Sequence, residues 1–363
     1  MFVGFTDVQC AIFCVKWTPL MKWNVLLGIV ISVGFVLGIL YQVDFTQLLT
    51  VLQSVQPMPL VLAAILLIFT HLIRAWRWRY LLEPVKLVPT LPLFSAVCIG
   101  FMANMLLPAH AGEVVRAYII GRKAHVNTIA SFGTIVVERL MDFVVILLVL
   151  VFVLSAMRFP TEMTSVVRHL RIGGYIAALC GSALIGGLWF LHARTAQTMR
   201  LLRLCLAFLP VRWLDYLCAV LSTFAAGLQT LQKGHHLLPV LGLSLCLWIV
   251  VGLSNMLVLH AFDLHFPLYA IGLILVLQTF GAVIPSGPGF IGTYHAAVIA
   301  ALAIFGVPHE LALSVALVMH ASFFFPFVLI GLVFLWKESL SLHDLWTIKA
   351  PDRTPLSRAA EQL

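Results

Sequence analysis

LYAIGLILVLQTFGAVI (residues 268–284), PSGPGFIG (285–292) and TYHAAVIAALAIFG (293–306) form two apolar halves around a tip of proline and glycine. Proline removes a backbone donor, and unwound backbone at membrane depth is tolerated only inside protein or beside a watery cavity. Working outward, apolar runs recur from Trp23 to Leu335, and a run of 18 or more residues with few charges marks a membrane helix. The whole chain of 363 residues is 62% apolar and 10% charged, where soluble domains carry about 25% charge. An ordinary cytosolic enzyme is thereby excluded. The fold class read from the sequence is an all-α polytopic integral membrane protein.

Clean spans are expected near 24–41, 58–73, 127–157, 172–192, 237–262 and 311–335. Earlier in the chain, the first irregular stretch covers 91–122, where Asn104, Pro108, His110, Gly112, Glu113 and Arg116 interrupt the apolar pattern. Arg74, Arg77 and Arg79, with Trp76 and Trp78 between them, read as the cytoplasmic interface of the 58–73 span. The positive-inside rule separates two topologies. If every apolar half crosses singly, the loops hold 9 Lys and Arg inside against 12 outside. If each irregular stretch enters and leaves on one side, the division is 18 against 3, with Arg139 left inside a helix. The second topology wins. Charge counting does not separate re-entrant hairpins from pairs of short crossings, but the broken, polar tips favour hairpins.

This topology contains a symmetry. A span, a hairpin from the cytoplasm and a span (58–157) are followed by a span, a hairpin from outside and a span (237–335). Inverted repeats with broken helices are a transporter architecture in which the broken pair marks the binding site. The expected organisation is an anchor span and outer loop over 1–57, a first repeat with its following span over 58–192, and a cytoplasmic linker over 193–236. The second repeat covers 237–335 and a tail 336–363. The linker includes the amphipathic WLDYLCAVLSTFAAGLQTL (213–231). Both termini are expected in the cytoplasm.

Candidate site residues lie at the two tips and on one helix. In NMLLPAHAGEVVRAY (104–118), Pro108 ends one half-helix and Gly112 begins the next, whose free N–H groups would attract an anion. Glu113 and Arg116, three apart, share a face and can pair or present both signs to a head group. In ERLMD (138–142), Glu138 and Asp142 share a face at i,i+4 with Arg139 offset. Ionisable groups within a span are expensive and tend to be functional. At the second tip Pro285, Gly287 and Gly289 permit close backbone approach, and His295 just beyond could titrate near neutral pH. The tip lacks the Lys-Ser/Thr ending of a nucleotide loop, so ATP is not supported and no cofactor is expected. The seven cysteines and scattered histidines lack metal-ligand spacing. No catalytic motif is present. The pI near 9.3 reflects basic loops beside the spans rather than a nucleic-acid surface.

Asn104, Pro108, Gly112-Glu113, Arg116, Glu138-Arg139 and Asp142, followed by Pro285, Gly287, Gly289 and Gly292, resemble the lysylphosphatidylglycerol synthase transmembrane-region family over roughly 58–335. Members include the flippase half of the bacterial multiple peptide resistance factor, and stand-alone relatives are considered lipid transporters. The resemblance implies a bacterial inner-membrane protein that moves a phospholipid or related amphiphile, such as aminoacyl-phosphatidylglycerol or a hopanoid lipid, between leaflets. The implied partners are membrane lipids with phosphate head groups, and a homo-oligomer is left open. The 363 residues hold no stretch for the aminoacyl transferase domain of the full-length factor, so lysyl transfer is not expected. At His295 the resemblance leads us to expect an acidic residue. The alternatives are an integral-membrane lipid-modifying enzyme and a scaffold for a lipid-synthesis complex.

Overall fold

A computed structural model describes residues 53–107, 111–157, 193–205, 234–284 and 286–341, with isolated positions elsewhere. Among the described residues all regular structure is helical. The expected span at 24–41, most of that at 172–192, the amphipathic 213–231 segment, Pro108, Pro285 and the tail beyond 341 lie largely or wholly outside them.

Helix α1 (Pro57–Leu82) opens with proline, whose missing N–H is no loss in a first turn. It buries Leu67, His71, Arg74, Trp78 and Leu82 along one face and exposes Val61, Ile65 and Phe69 on another. Apolar side chains on both faces suit a helix packed on protein on one side and lipid on the other. α1, α6 over Leu238–Ala261, and α9 (His309–Lys337) are long and apolar enough to cross a bilayer by length and composition. The basic pair Arg74 and Arg77, expected beyond the end of a span, is instead inside α1. Removing these two residues and Arg116 from the inside tally does not change its sign.

α2 (Thr90–Leu106) and α3 (Gly112–Ala124) are the two halves expected around the first tip, and they pack on each other. α2 stops where Leu107 turns extended, with φ −104° and ψ 147°. The Gly112 N–H, first in α3, donates to Asn104 Oδ1 at 2.8 Å, so the first half-helix caps the second. The two backbones meet here. A Cβ on Gly112 would stand 1.9 Å from the Gly100 carbonyl oxygen. α3 ends at His125 in the left-handed region, and Asn127 then caps α4 (Thr128–Ala156) by accepting from the Ile129 and Ala130 N–H groups. Glu338, just past α9, accepts from Ser95 Oγ and pairs with Lys123, joining the ends of α9, α2 and α3.

After a short helix α5 (Thr195–Cys205), α6 (Gly234–Ala261) packs closely on α1, and Gln56 N–H donates to the Ala261 carbonyl at 3.1 Å. α7 (Leu268–Val283) and α8 (Thr293–Ala303) are the halves of the second irregular stretch, separated by a 3-10 turn at Pro288–Phe290. They also cross at a glycine, since a Cβ on Gly281 would stand 2.7 Å from Ala297 Cβ. Small residues at such crossings let membrane helices gain dispersion contact that larger side chains would prevent. Gly289 takes φ 72°, a left-handed angle cheap only for glycine, and its carbonyl lies 2.7 Å from His320 Nε2 on α9. The turn rests on α2, where a Cβ on Gly289 would lie 3.5 Å from the Met105 carbonyl. The two breaks in the chain therefore meet. One apolar cluster holds α1 to α4 together through Trp78, Met102, Ile120 and Val137, and another joins α6 to α9 through Leu259, Ile274, Val298 and Val315.

Candidate functional site

Helix α4 supplies the anions around which the charged groups gather. Its spacing puts Glu138 and Asp142 one turn apart, and both are buried. Glu138 Oε2 accepts from Arg116 Nη2 at 2.6 Å, and Arg116 Nη1 reaches Oε1 at 2.9 Å, a two-pronged contact between α3 and α4. The same carboxylate meets Arg77 Nη2 at 3.0 Å and Arg139 Nη2 at 2.5 Å. Asp142 is held by Arg77 from α1 at 2.5 Å and by Arg139 at 3.4 Å. It also accepts from Trp248 Nε1 of α6 at 3.2 Å, while Arg77 donates to Ser244 Oγ of α6 at 2.8 Å. Four helices are thereby locked to one another. The Arg116 guanidinium also lies 3.9 Å from the Trp78 ring centre, a cation–π contact from which water is excluded.

Next to this network lies a cavity of about 380 Å³. Arg74, Asn104, Glu113, Arg139 and Asp142 line its charged part, and Ser254, Asn255, Gln278 and Thr279 add neutral polar groups. Much of the remaining wall is apolar, including Phe143, Ile146, Val251, Phe280, Val283 and Phe323. The lining comes from both core regions and from both broken stretches. A space with a charged end and an apolar wall fits an amphiphile better than a small polar metabolite.

The sequence-predicted residues that the structure describes divide into three groups. Asn104, Glu113, Arg139 and Asp142 do border the cavity. Arg116 and Glu138 are brought to the same cluster but sit behind it, 1% and 0% exposed and occupied with each other. Arg116, expected to pair with Glu113 or present its charge to a head group, instead has both ends of its fork occupied by Glu138. Nor does Glu113 pair with Arg116; its carboxylate faces Arg139 at 3.8 Å. A bonding partner on α4 displaced the neighbour on the same helix.

At the second tip the expected residues Gly287, Gly289 and His295 do not border the cavity, whereas Phe290 and Tyr294 of the same stretch do. His295 is buried behind the tip, where its Nδ1 accepts from the Gly292 N–H at 3.3 Å and its ring lies 4.8 Å from that of His320. Asn104 likewise has a structural task, and the Gly112 N–H, expected to be free for an anion, is already bound to it. Pro285 lies outside the described residues.

Sequence reading missed Arg74, Arg77, Asn255 and Gln278. A signal for the first two exists in retrospect: His71, Arg74, Arg77 and Trp78 recur at helical spacing on one face, while Trp76, Arg79 and Tyr80 fall on the exposed side. Among the described residues no group of three or more His, Cys, Asp or Glu side chains is placed to hold a metal.

The profile of the lysylphosphatidylglycerol synthase TM region matches residues 25–331. Glycosyltransferase AglD of Haloferax volcanii is 22% identical over 322 residues, covering 82% of this chain and 52% of that protein. Two UPF0104 membrane proteins of Methanocaldococcus jannaschii also match. MJ1595 is 28% identical over 130 residues (35% of this chain, 39% of that protein), and MJ1078 is 22% identical over 231 residues (63% and 91%). The chain thus spans about half of the first relative's length and less of the second's. No solved structure matches.

Proposed function

The chain belongs to the lysylphosphatidylglycerol synthase TM-region family, and from that premise we propose that it is a lipid translocase carrying a phospholipid or related amphiphile between leaflets. The observation that carries this reading is the cavity: charged where Arg139, Glu113 and Asp142 border it, apolar over much of the rest, and lined by both broken stretches. A head group crossing hydrocarbon unaided loses its hydration at a cost of many kcal/mol. Fixed side chains of opposite sign along the route replace that water, while the acyl or isoprenoid tails stay against apolar wall. Arg139, with 39% of its side chain exposed, offers a planar fork suited to phosphate oxygens. Glu113, only loosely paired at 3.8 Å, can exchange Arg139 for a cationic head-group amine such as that of an aminoacylated lipid.

In this reading the two broken stretches are hairpins entering from opposite faces of a bacterial inner membrane, with both chain termini cytoplasmic. Single cysteines at Leu87 and Leu268, both exposed at the bases of the two broken stretches, should then be labelled by an impermeant reagent from opposite sides of sealed vesicles. Labelling of both from one side would overturn the inverted arrangement. The lipid reading is tested by reconstitution. Glu113→Ala and Arg139→Ala are each expected to slow lipid movement at least about tenfold, the equivalent of about 1.4 kcal/mol in the barrier. Wild-type rates in both variants would sink these assignments.

A second reading, an integral-membrane lipid-modifying enzyme, is favoured by the name of the archaeal relative, Glycosyltransferase AglD. It predicts a covalently altered lipid in membrane extracts, whereas translocation changes only the leaflet.

A further inference from the structure

Four guanidiniums and three carboxylates meet at the charged end of the cavity, and their pairing is uneven. Arg77, Arg116 and Arg139 are each bound to one or more of Glu113, Glu138 and Asp142. Three cations thus match three anions. Arg74 is the fourth cation, 7% exposed, and its Nε and Nη1 are buried without a hydrogen-bond partner. The Phe101 ring centre lies 4.4 Å from its guanidinium carbon, a contact that partly compensates charge but satisfies no N–H in its plane. Two other buried groups lining the same cavity also lack partners: Arg139 Nε and Asn255 Nδ2. All three are N–H donors, carried by α1, α4 and α6. Among the described lining residues no buried side-chain acceptor is left over. A buried donor left unmade is costly and an unpaired cation more so, and the charged end is therefore complete only with a ligand that brings acceptors and negative charge.

We infer that Arg74 is the counter-ion for the single negative charge of a lipid phosphodiester, with Arg139 Nε and Asn255 Nδ2 as flanking donors. The inference rests on the cavity being a lipid head-group site. One surplus positive charge is neutralised by one negative charge. A phosphomonoester, which carries nearly two at neutral pH, overshoots. A carboxylate carries the right charge, but its two coplanar oxygens are used up by one guanidinium fork. The tetrahedral oxygens of a phosphodiester can meet donors arriving from three helices, and the ester chains continue onto the apolar wall.

The test is calorimetric titration of the delipidated full chain in maltoside detergent with dihexanoyl-phosphatidylglycerol, dihexanoyl-phosphatidic acid, hexanoate and inorganic phosphate. The phosphatidylglycerol is expected to bind at least about tenfold more tightly than each of the other three. Arg74→Gln should weaken it at least tenfold, Arg74→Lys should recover part of the loss, and Asn255→Leu should weaken it less. Wild-type affinity in a well-folded Arg74→Gln, or phosphatidic acid, hexanoate or free phosphate binding as tightly as phosphatidylglycerol, overturns the assignment. If Arg74→Gln fails to fold, unchanged affinity in both Arg74→Lys and Asn255→Leu does so instead. A wild-type chain that shows the expected binding but moves no lipid in vesicles sinks translocation and leaves the counter-ion standing. One that moves lipid equally well with Arg74→Gln does the reverse.

Discussion

Glu138→Ala is expected to lower stability by about 3–5 kcal/mol, the cost of removing one partner from a buried ion pair. Glu138 is completely buried and lies within 3.0 Å of three guanidiniums, those of Arg77, Arg116 and Arg139. Without it, four guanidiniums are left with two carboxylates, Glu113 and Asp142, and the fork of Arg116 faces neither. Water cannot easily compensate, because the Trp78 ring covers Arg116. The loss should appear as an apparent melting point lowered by roughly 10 °C in detergent, followed by size exclusion after heating. Glu138→Gln should fall between the variant and wild type, since the amide oxygen still accepts one bond but carries no charge. A melting point for Glu138→Ala within about 2 °C of wild type would show that the network does not hold the four helices together.

Gly112→Ala is expected to be comparably damaging for a different reason. The added Cβ would stand 1.9 Å from the Gly100 carbonyl oxygen and 2.5 Å from Asn104 Oδ1. A backbone carbonyl within a helix cannot swing away, so α2 and α3 must separate. Overpacking of this kind costs about 1–3 kcal/mol or more, and losing the Asn104 cap adds about 1 kcal/mol. Because Arg116 lies one turn along α3, its two-pronged contact with Glu138 is disturbed as well. The matched control is Gly242→Ala on α6, where a Cβ meets nothing within 4 Å and the helix gains up to about 1 kcal/mol from alanine. Equal folded yields for the two variants in a size-exclusion profile would refute the close crossing.

Local signals made much of this molecule legible. Pro108 and Gly112 announce the break between α2 and α3 because each acts on its own backbone, and the same holds for the glycines around the 3-10 turn. Glu138 and Asp142 stand out because a carboxylate in an apolar helix has few cheap explanations, and both are in the charged cluster. Pairing was less legible. Proximity along α3 suggests Glu113 with Arg116, yet Arg116 is bound to a residue 22 positions away on another helix. Arg77 reads as an interface anchor for the same reason, since the sequence does not reveal Asp142, 65 positions on, waiting beside it. His295 shows the converse: a titratable residue near a tip invites a functional role, while the fold places it behind the tip, outside the cavity lining, to receive the Gly292 N–H.

The sequence by itself determined the all-helical membrane character, the two broken stretches and the residue types available for a polar seam. These follow from composition and from backbone properties of proline and glycine, which act over a few residues and need no partner. Only the tertiary structure decided which charges neutralise one another, which side chains reach the cavity, and that Arg74 is left without a carboxylate. Those outcomes depend on helices far apart in the chain being brought within hydrogen-bonding distance. At that range, burial makes an ångström of displacement the difference between a satisfied charge and a costly one.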